Sequence, residues 1–381
     1  MMMDFQRLLD LPTLLEKKSY FLFGPRTTGK TTLIHQQISK DYQYINLLDS
    51  DIYLRLLARP ALLRELLDPQ KKGVVIDEIQ KIPALLDEVH LLIEAQKITF
   101  LLTGSSARAL KRKGVNLLAG RARTAHLYPL VAKEIAQFNL DKMLSFGGLP
   151  SIYLSDAPFV DLKAYVDTYL KEEIQEEAHV RNLSGFVRFL KTAALQNAQL
   201  LNFAAVSSDS MVKESTVRSH YQILQDTLIG SLLEPWRLSQ KRKAIQTAKF
   251  YFFDTGVCHA LLDVQTLPRS SDLYGRAFEH WVYRELQAYL SYKERLLPLT
   301  FWRSVNGQEV DFLVGDQVAI EAKATQRVSD RDLHGLRALA EENVFKKFLL
   351  VSQDPIRQEK AGVLCLHYSE FIDLLWSGNL F

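Results

Sequence analysis

Nine residues near the amino terminus, Gly24, Pro25, Arg26, Thr27, Thr28, Gly29, Lys30, Thr31 and Thr32, constrain the fold of this chain more than any other stretch. They follow an apolar, aromatic run, Tyr20–Phe23, that reads as a strand, and they lead into Thr32–Gln37, which reads as a helix. A strand, a glycine-bounded loop and a helix in that order make a phosphate-binding loop when the spacing ends in Gly-Lys-Thr. The glycines let the loop turn its backbone N–H groups onto a triphosphate, and the helix N-terminus adds its dipole. In this reading all nine residues surround the nucleotide, Lys30 reaches the β- and γ-phosphates, and the Thr31 hydroxyl ligates Mg²⁺. The expected cofactors are ATP and Mg²⁺.

A second strand, Gly73–Ile76, runs into Asp77 and Glu78 about fifty residues later, the spacing at which an ATPase site finds its other half. Asp77 is expected to hold Mg²⁺ through water, and Glu78 to orient or deprotonate the attacking water. Tyr44–Leu48 and Ile98–Leu102 read as further strands, with a leucine-rich helix, Ile52–Leu67, between them. Strands alternating with helices imply a parallel sheet that binds its ligand at the carboxyl ends of the strands. Thr103 and Ser105 would then lie near the γ-phosphate as polar sensors, while Ser105 or Ser106 could also cap a helix over Ala107–Lys111. Arg121 and Arg123 precede another apolar stretch. Either could meet transition-state charge, in cis or from a neighbouring copy in a homo-oligomer, or simply face solvent.

From about Leu140 to Asp254 the pattern turns helical, with a charged run at Lys171–Glu177 and an amphipathic helix over Phe186–Gln196. Leu201–Val206, a turn at Ser207–Ser210 and Thr216–Leu224 then read as a helix–turn–helix. The strands Leu228–Leu233 and Lys249–Phe253, joined through Arg237, Lys241, Arg242 and Lys243, complete a winged pattern. In such folds the second helix enters the major groove and the wing touches phosphate. Thr216, Arg218, Ser219, His220 and Gln222 are the candidate groove contacts, and Lys241, Arg242 and Lys243 the candidate wing contacts. The alternative is a winged helix that packs between domains and relays nucleotide state.

Late in the chain, Gly275–Leu286 reads as a helix carrying Glu279, and Glu309–Val314 and Val318–Lys323 as two short strands. With Gly315–Gln317 as the loop, Val314 pairs with Val318, Phe312 with Ile320 and Asp311 with Glu321. Val310, Phe312, Val314, Val318, Ile320 and Ala322 then share one face, and Asp311, Glu321 and Lys323 the other. A two-residue loop would mix the faces, and hydrophobic pattern fixes register where a face is buried. Asp311, Glu321 and Lys323 are therefore candidate catalytic residues. With Glu279, the two carboxylates are candidate ligands for Mg²⁺ or Mn²⁺, which can activate water for phosphodiester cleavage.

These motifs, together with Leu102–Ser106, Ala119–Arg121 and Gly147–Pro150, resemble the AAA-type ATPases of bacteria and archaea, more narrowly the group that carries the domain of unknown function DUF4143. The resemblance spans nearly the whole chain. Its C-terminal constellation resembles the PD-(D/E)xK nuclease fold, with Glu279 as the helical acid, Asp311 as the first strand acid and Glu321-x-Lys323 as the signature. The implied fold is α/β: an AAA-type P-loop NTPase with a parallel sheet (1–139), a helical segment with a winged helix (140–254) and a nuclease-like α/β domain (255–381). The family says little about biological role; read from the residues, the expected function is ATP hydrolysis coupled to work on duplex or branched DNA. Its rival is a signalling or scaffold ATPase whose C-terminal domain binds a partner without catalysis. A formal charge of +3 confines any basic surface to local patches, and Cys258 and Cys365 form no pair motif. No apolar run reaches membrane length and no signal-peptide layout is present, so the expected location is the cytoplasm, away from membranes.

Overall fold

The run Tyr20–Phe23 is apolar without a break because its strand, β1 (Ser19–Phe23), is buried on both faces. The structure, a computed structural model, describes residues 5–105, 118–170 and 182–381. The expected helix Ala107–Lys111 with Ser106, and the charged run Lys171–Glu177, lie outside the described residues. The chain divides into two units: residues up to Leu130 together with Asp226–Ile229, and Val131–Gln225 together with Gly230–Phe381.

In the first unit, helix α1 (Leu11–Lys17) precedes β1, and α2 (Lys30–Gln37) follows the phosphate loop. Next come β2 (Tyr42–Asn46), α3 (Ser50–Ala58), β3 (Gly73–Asp77), α4 (Leu85–Gln96), β4 (Thr99–Gly104) and β5 (Ala122–His126). The strands form one sheet in the order β2-β3-β4-β1-β5, with every pairing parallel. This is the P-loop NTPase fold. Strand β4 lies between the strand that feeds the phosphate loop and the strand that ends in Asp77, so Thr103 arrives beside Asp77. One face of the sheet, with Phe21, Phe23, Ile76, Phe100 and Leu102, packs against Leu56 of α3 and Leu85, Val89 and Leu92 of α4. Gly24 is required by crowding: a Cβ there would stand 2.5 Å from the carbonyl oxygen of Leu127.

The second unit begins with α5 (Leu140–Phe146) and builds a winged helix from α6 (Leu183–Leu195), β6 (Gln199–Leu200), α7 (Phe203–Ser210), α8 (Glu214–Asp226), β7 (Gly230–Pro235) and β8 (Lys249–Phe252). The turn expected at Ser207–Ser210 is the last stretch of α7; there Ser210 Oγ donates back to the Val206 carbonyl over 2.5 Å. After α9 (Thr255–Leu261) come the long helix α10 (Asp272–Tyr292), β9 (Leu299–Arg303), β10 (Glu309–Val314), β11 (Val318–Lys323), α11 (His334–Ala340), β12 (Lys347–Ser352), β13 (Gln358–Lys360), β14 (Val363–His367) and α12 (Tyr368–Trp376).

The winged-helix strands and the C-terminal strands belong to one nine-stranded sheet, ordered β13-β14-β12-β11-β10-β9-β7-β8-β6. The join is a parallel pairing of β7 with β9, Glu234 opposite Thr300 and Pro235 opposite Phe301. The boundary expected at residue 254 therefore separates no compact units, because a shared ladder crosses it.

The register reasoned for the β10–β11 hairpin is the one found: Val314 opposite Val318 and Phe312 opposite Ile320. The face assignment needs one correction. The pairing of β10 with β9 shifts register between Val310 and Leu313. That bulge puts Val310 with Leu313 and Ala319 in the apolar cluster covered by Leu336 and Leu339 of α11. Phe312 points the other way, stacked 6.1 Å from Tyr283 of α10. Both faces are thus covered, and the polar residues open onto a cleft rather than a solvated surface.

Gly147 and Gly148 find their partner in Asp254, the residue that caps α9. Its carboxylate accepts from Gly148 N at 2.8 Å and from Val257 N at 3.2 Å, and a Cβ on Gly147 would stand 1.9 Å from Asp254 Oδ1. Asp254→Ala leaves two buried N–H groups without this acceptor, so we expect a loss of about 1–3 kcal/mol, read from urea unfolding. A midpoint equal to that of the unaltered protein would show that water replaces the carboxylate there.

Candidate ATP site and a second carboxylate cleft

The phosphate loop is held from below before any ligand arrives. Gly29 caps α2 in the left-handed region at φ 92°, which turns the loop into the helix. Thr28 Oγ1 donates to the Pro25 carbonyl at 2.8 Å, and Lys30 Nζ donates to the carbonyls of Gly24 at 2.6 Å and Pro25 at 3.3 Å. Arg7 clamps the loop to β5's exit, donating to the Thr28 carbonyl at 2.7 Å and the Tyr128 carbonyl at 2.5 Å. Arg7 was not legible as a site residue, since it precedes the motif by 17 positions and belongs to no pattern. Thr31 and Thr32 lie exposed at the start of α2, as do Arg26 and Thr27 in the loop.

Asp77 is the hub of the site. Its Oδ1 accepts from Thr103 Oγ1, and its Oδ2 accepts from Tyr44 Oη and lies 3.5 Å from Thr31 Oγ1. Burial, and next the hydrogen bond to Asp77, push the Tyr44 phenol well above its usual range, so it stays a donor. The Thr31 hydroxyl and the Asp77 carboxylate are neighbouring hard oxygens, a donor set that fits Mg²⁺ and would hold it. Glu78 follows in the left-handed region at φ 61°, with its backbone N donating to Thr103 Oγ1 at 3.3 Å. Its carboxylate accepts from Gln80 Nε2, which also lies 3.5 Å from Ser105 Oγ. Thr103 and Ser105 are thus wired to Asp77 and Glu78 respectively, the second through Gln80.

Tyr44 is a residue that sequence reasoning placed in a strand and left without a task. Partners behind a metal ligand tune affinity or activity by about 10–100-fold. Tyr44→Phe should therefore raise the Mg²⁺ concentration for half-maximal ATP hydrolysis by about 10-fold. An unchanged Mg²⁺ titration would assign Tyr44 to packing alone.

The strand register bears on the cis form of the arginine assignment. Ala122 stands opposite Ser19 and Arg123 opposite Tyr20, at the amino end of β5, whereas the phosphate loop leaves β1 after Phe23. Arg121 donates to Glu94 of α4 and lines a hollow of about 470 Å³ with Lys17, Lys97 and Thr99. Neither arginine is placed at the phosphate loop of its own chain.

In the winged helix, Thr216, Arg218, Ser219 and Gln222 lie on the exposed face of α8. Arg218 is paired with Glu214 at 2.6 Å and lies 4.0 Å from the Phe203 ring centre. His220 is no groove contact: it is buried between Phe186 and Phe189, at 4.8 and 5.0 Å, and burial lowers its pKa to about 4. Lys241 and Lys243 are exposed on the connection between β7 and β8. Arg242 is spent internally, donating to the Ala338 carbonyl at 2.8 Å and to Glu341 at 2.9 Å, while Glu342 accepts the Lys241 backbone N at 3.1 Å.

Asp311, Glu321, Lys323 and Glu279 line one open cleft of about 450 Å³, together with Lys249, Glu309, Arg276 and Arg303. Lys323 pairs with Glu321 Oε1 at 2.6 Å, and Asp311 Oδ2 accepts the Ala322 backbone N at 3.0 Å. Burial and then the charge of Asp311 push the Glu321 carboxyl well above its usual range. Burial opposes the charge of Lys323, but Glu321 and Asp311 outweigh it and raise its ammonium.

Lys249, at the start of β8, changes the expected metal set. It pairs with Glu279 at 2.8 Å, Glu309 at 2.6 Å and Asp311 at 3.6 Å, while Tyr251 donates to Glu279 at 2.6 Å. Among the described residues no three His, Cys, Asp or Glu side chains are grouped so as to hold a metal ion. The set Glu279, Asp311 and Glu321 is therefore not assembled as reasoned, because Glu279 is turned to the lysine. The pair Asp311 and Glu321 still fits a hard divalent ion, since Glu321 Oε2 is buried with no hydrogen-bond partner. The one signal for Lys249 was its alternation with Tyr251 in an otherwise aromatic strand, which marks a shared face.

Comparison with known proteins divides the chain into three segments. Residues 16–136 match the model of an AAA domain, residues 137–267 a domain of unknown function, DUF8612, and residues 274–371 the domain of unknown function DUF4143. An uncharacterized protein of Mycobacterium tuberculosis is 27% identical over 321 residues, covering 81% of this chain and 70% of its own. An uncharacterized protein of Methanocaldococcus jannaschii is 24% identical over 335 residues, covering 79% and 73%. A Walker-type ATPase of Pyrococcus abyssi superposes with a TM-score of 0.47 at 15% identity, over 68% of this chain and 96% of that one. No helix among the described residues is long and apolar enough to cross a membrane. The chain carries an AAA-type ATPase domain at residues 16–136 and a DUF4143 domain at residues 274–371.

Proposed function

We propose that this protein hydrolyses ATP and uses the cycle to act on DNA, presenting the DNA to its nuclease-like C-terminal cleft. The observation that carries the ATPase half is Asp77, which gathers Thr31, Thr103 and Tyr44 around one carboxylate at the mouth of the phosphate loop. Mg²⁺ held by Thr31 and Asp77 would neutralise phosphate charge. Lys30 leaves the loop carbonyls to reach the β- and γ-phosphates, and Glu78 takes a proton from the attacking water. The strained backbone at Glu78 and its bond to Gln80 keep the carboxylate parked until nucleotide engages Ser105 and Thr103. An arginine from a second copy, Arg121 or Arg123, would complete the charge stabilisation in trans. Mixing an arginine variant with a Lys30 variant should then restore ATPase activity, and a monomer with full activity excludes the arrangement.

For DNA, the support is the exposed polar face of α8, the exposed Lys241 and Lys243, and a cleft that Lys323, Arg276 and Arg303 line together with four carboxylates. Duplex or branched DNA should bind at low salt and release steeply as salt rises, because phosphate contacts displace counterions. Replacing Lys241 and Lys243 by Gln should lower the slope of log affinity against log salt by about 2, at roughly 0.9 per phosphate. The scaffold reading draws its own support from the internal use of Arg242 and the pairing of Arg218. Absence of binding to any duplex, single strand or junction at low salt, with ATPase activity intact, selects it.

A further inference from the structure

Lys249 lies in the winged helix by sequence but in the carboxylate cleft by position. Its side chain is 4% exposed, and its ammonium meets Glu279, Glu309 and Asp311 while lying 5.3 Å from the Phe301 ring centre. An ammonium is kept in so buried a place only where carboxylates compensate its lost hydration. The cleft is thus divided. Lys249 holds Glu279 and Glu309 with one oxygen of Asp311, and Glu321 Oε2 is left buried and unpartnered on the other side.

We propose that Lys249 is a resident cation that fills one of two cation positions in this cleft, so that Asp311 and Glu321 take a single divalent ion. The inference rests on the reading that the cleft receives a divalent ion at all. Two-ion sites place their metals about 3.5–4 Å apart and need carboxylates shared between both. Here the carboxylates that a second ion would need, Glu279 and Glu309, are already neutralised by Lys249, and Arg303 also pairs with Glu309 at 3.1 Å. A second divalent ion would have to displace an ammonium from its buried site or sit against it, and like charge at that range repels strongly.

The test is a Mn²⁺ titration of the full chain without nucleotide, followed by calorimetry and by the electron spin resonance of bound Mn²⁺. The ions of this site are those lost on Glu321→Gln. One such ion is expected, with the signal of an isolated Mn²⁺, and two are expected in Lys249→Met. A spin-coupled pair in the unaltered protein overturns the proposal, as does a Lys249→Met variant that folds and still binds one. Should Lys249→Met fail to fold, the count and the coupling in the unaltered protein decide the question by themselves. If Glu321→Gln removes no ion, the divalent-ion reading of the cleft fails, and the assignment of Lys249 falls with it. That outcome is distinct from a coupled pair, which keeps the metal reading and removes only the resident cation.

Discussion

Glu78→Gln should bind ATP as tightly as the unaltered protein and hydrolyse it about 100–10,000-fold more slowly, the usual weight of a general base. The substitution keeps the shape of the side chain, including an oxygen for the Gln80 amide, and removes only the capacity to take a proton. An interaction made only in the transition state lowers kcat and kcat/KM together and leaves ground-state binding alone. Lys30→Ala should behave differently. It deletes a charge-assisted contact to phosphate, worth about 1.5–3 kcal/mol, so ATP binding itself should weaken by at least about 10-fold. Nucleotide binding by fluorescence and single-turnover hydrolysis separate the two effects. Turnover by Glu78→Gln at the unaltered rate would remove Glu78 from the water-activating role.

The second large effect concerns the C-terminal cleft. DNA nicking in the presence of Mn²⁺ should fall by about 100–1,000-fold in Lys323→Ala, the scale set by loss of one donor aimed at developing charge. Lys323 lies beside Glu321 on β11 and opens onto the same cleft as Asp311, where a scissile phosphate would meet it. Lys323→Arg is expected to recover little, because a planar guanidinium does not replace a compact ammonium at this spot. A protein that binds DNA but nicks no DNA or RNA, with or without Lys323, would leave the cleft as a binding surface. ATP hydrolysis would stand unaffected, since its residues lie elsewhere in the chain.

The parts legible in the sequence were those set by short-range pattern. The phosphate loop and the β10–β11 register follow from local spacing and alternation, and the Asp77–Glu78 strand end from an apolar run at a set distance after the loop. What stayed hidden depends on strand order. Arg121 and Arg123 looked well placed because they precede an apolar strand, but only the pairing of β5 with β1 shows that they sit at the amino end of it. Lys249 joined Glu279, Glu309 and Asp311 across separations of 30 to 62 positions in a sheet whose order no local signal gives. Val310 changed face through a bulge, a feature that alternation cannot encode because it is a break in alternation.

The continuous ladder from β6 to β13 bears on how this chain can be dissected or recombined. A fragment beginning after Asp254 would lose β6, β7 and β8, bare the edge of β9 along Thr300 and Phe301, and leave Glu279 and Glu309 without their buried cation. An uncovered strand edge of that kind invites pairing with other chains, so such a fragment should aggregate instead of reporting the behaviour of an isolated C-terminal domain. Swapping the winged helix for another would carry the same penalty unless the donor also brought a strand with a lysine in register. Inheritance of the winged helix and the cleft as a single module is the natural outcome of sharing one sheet.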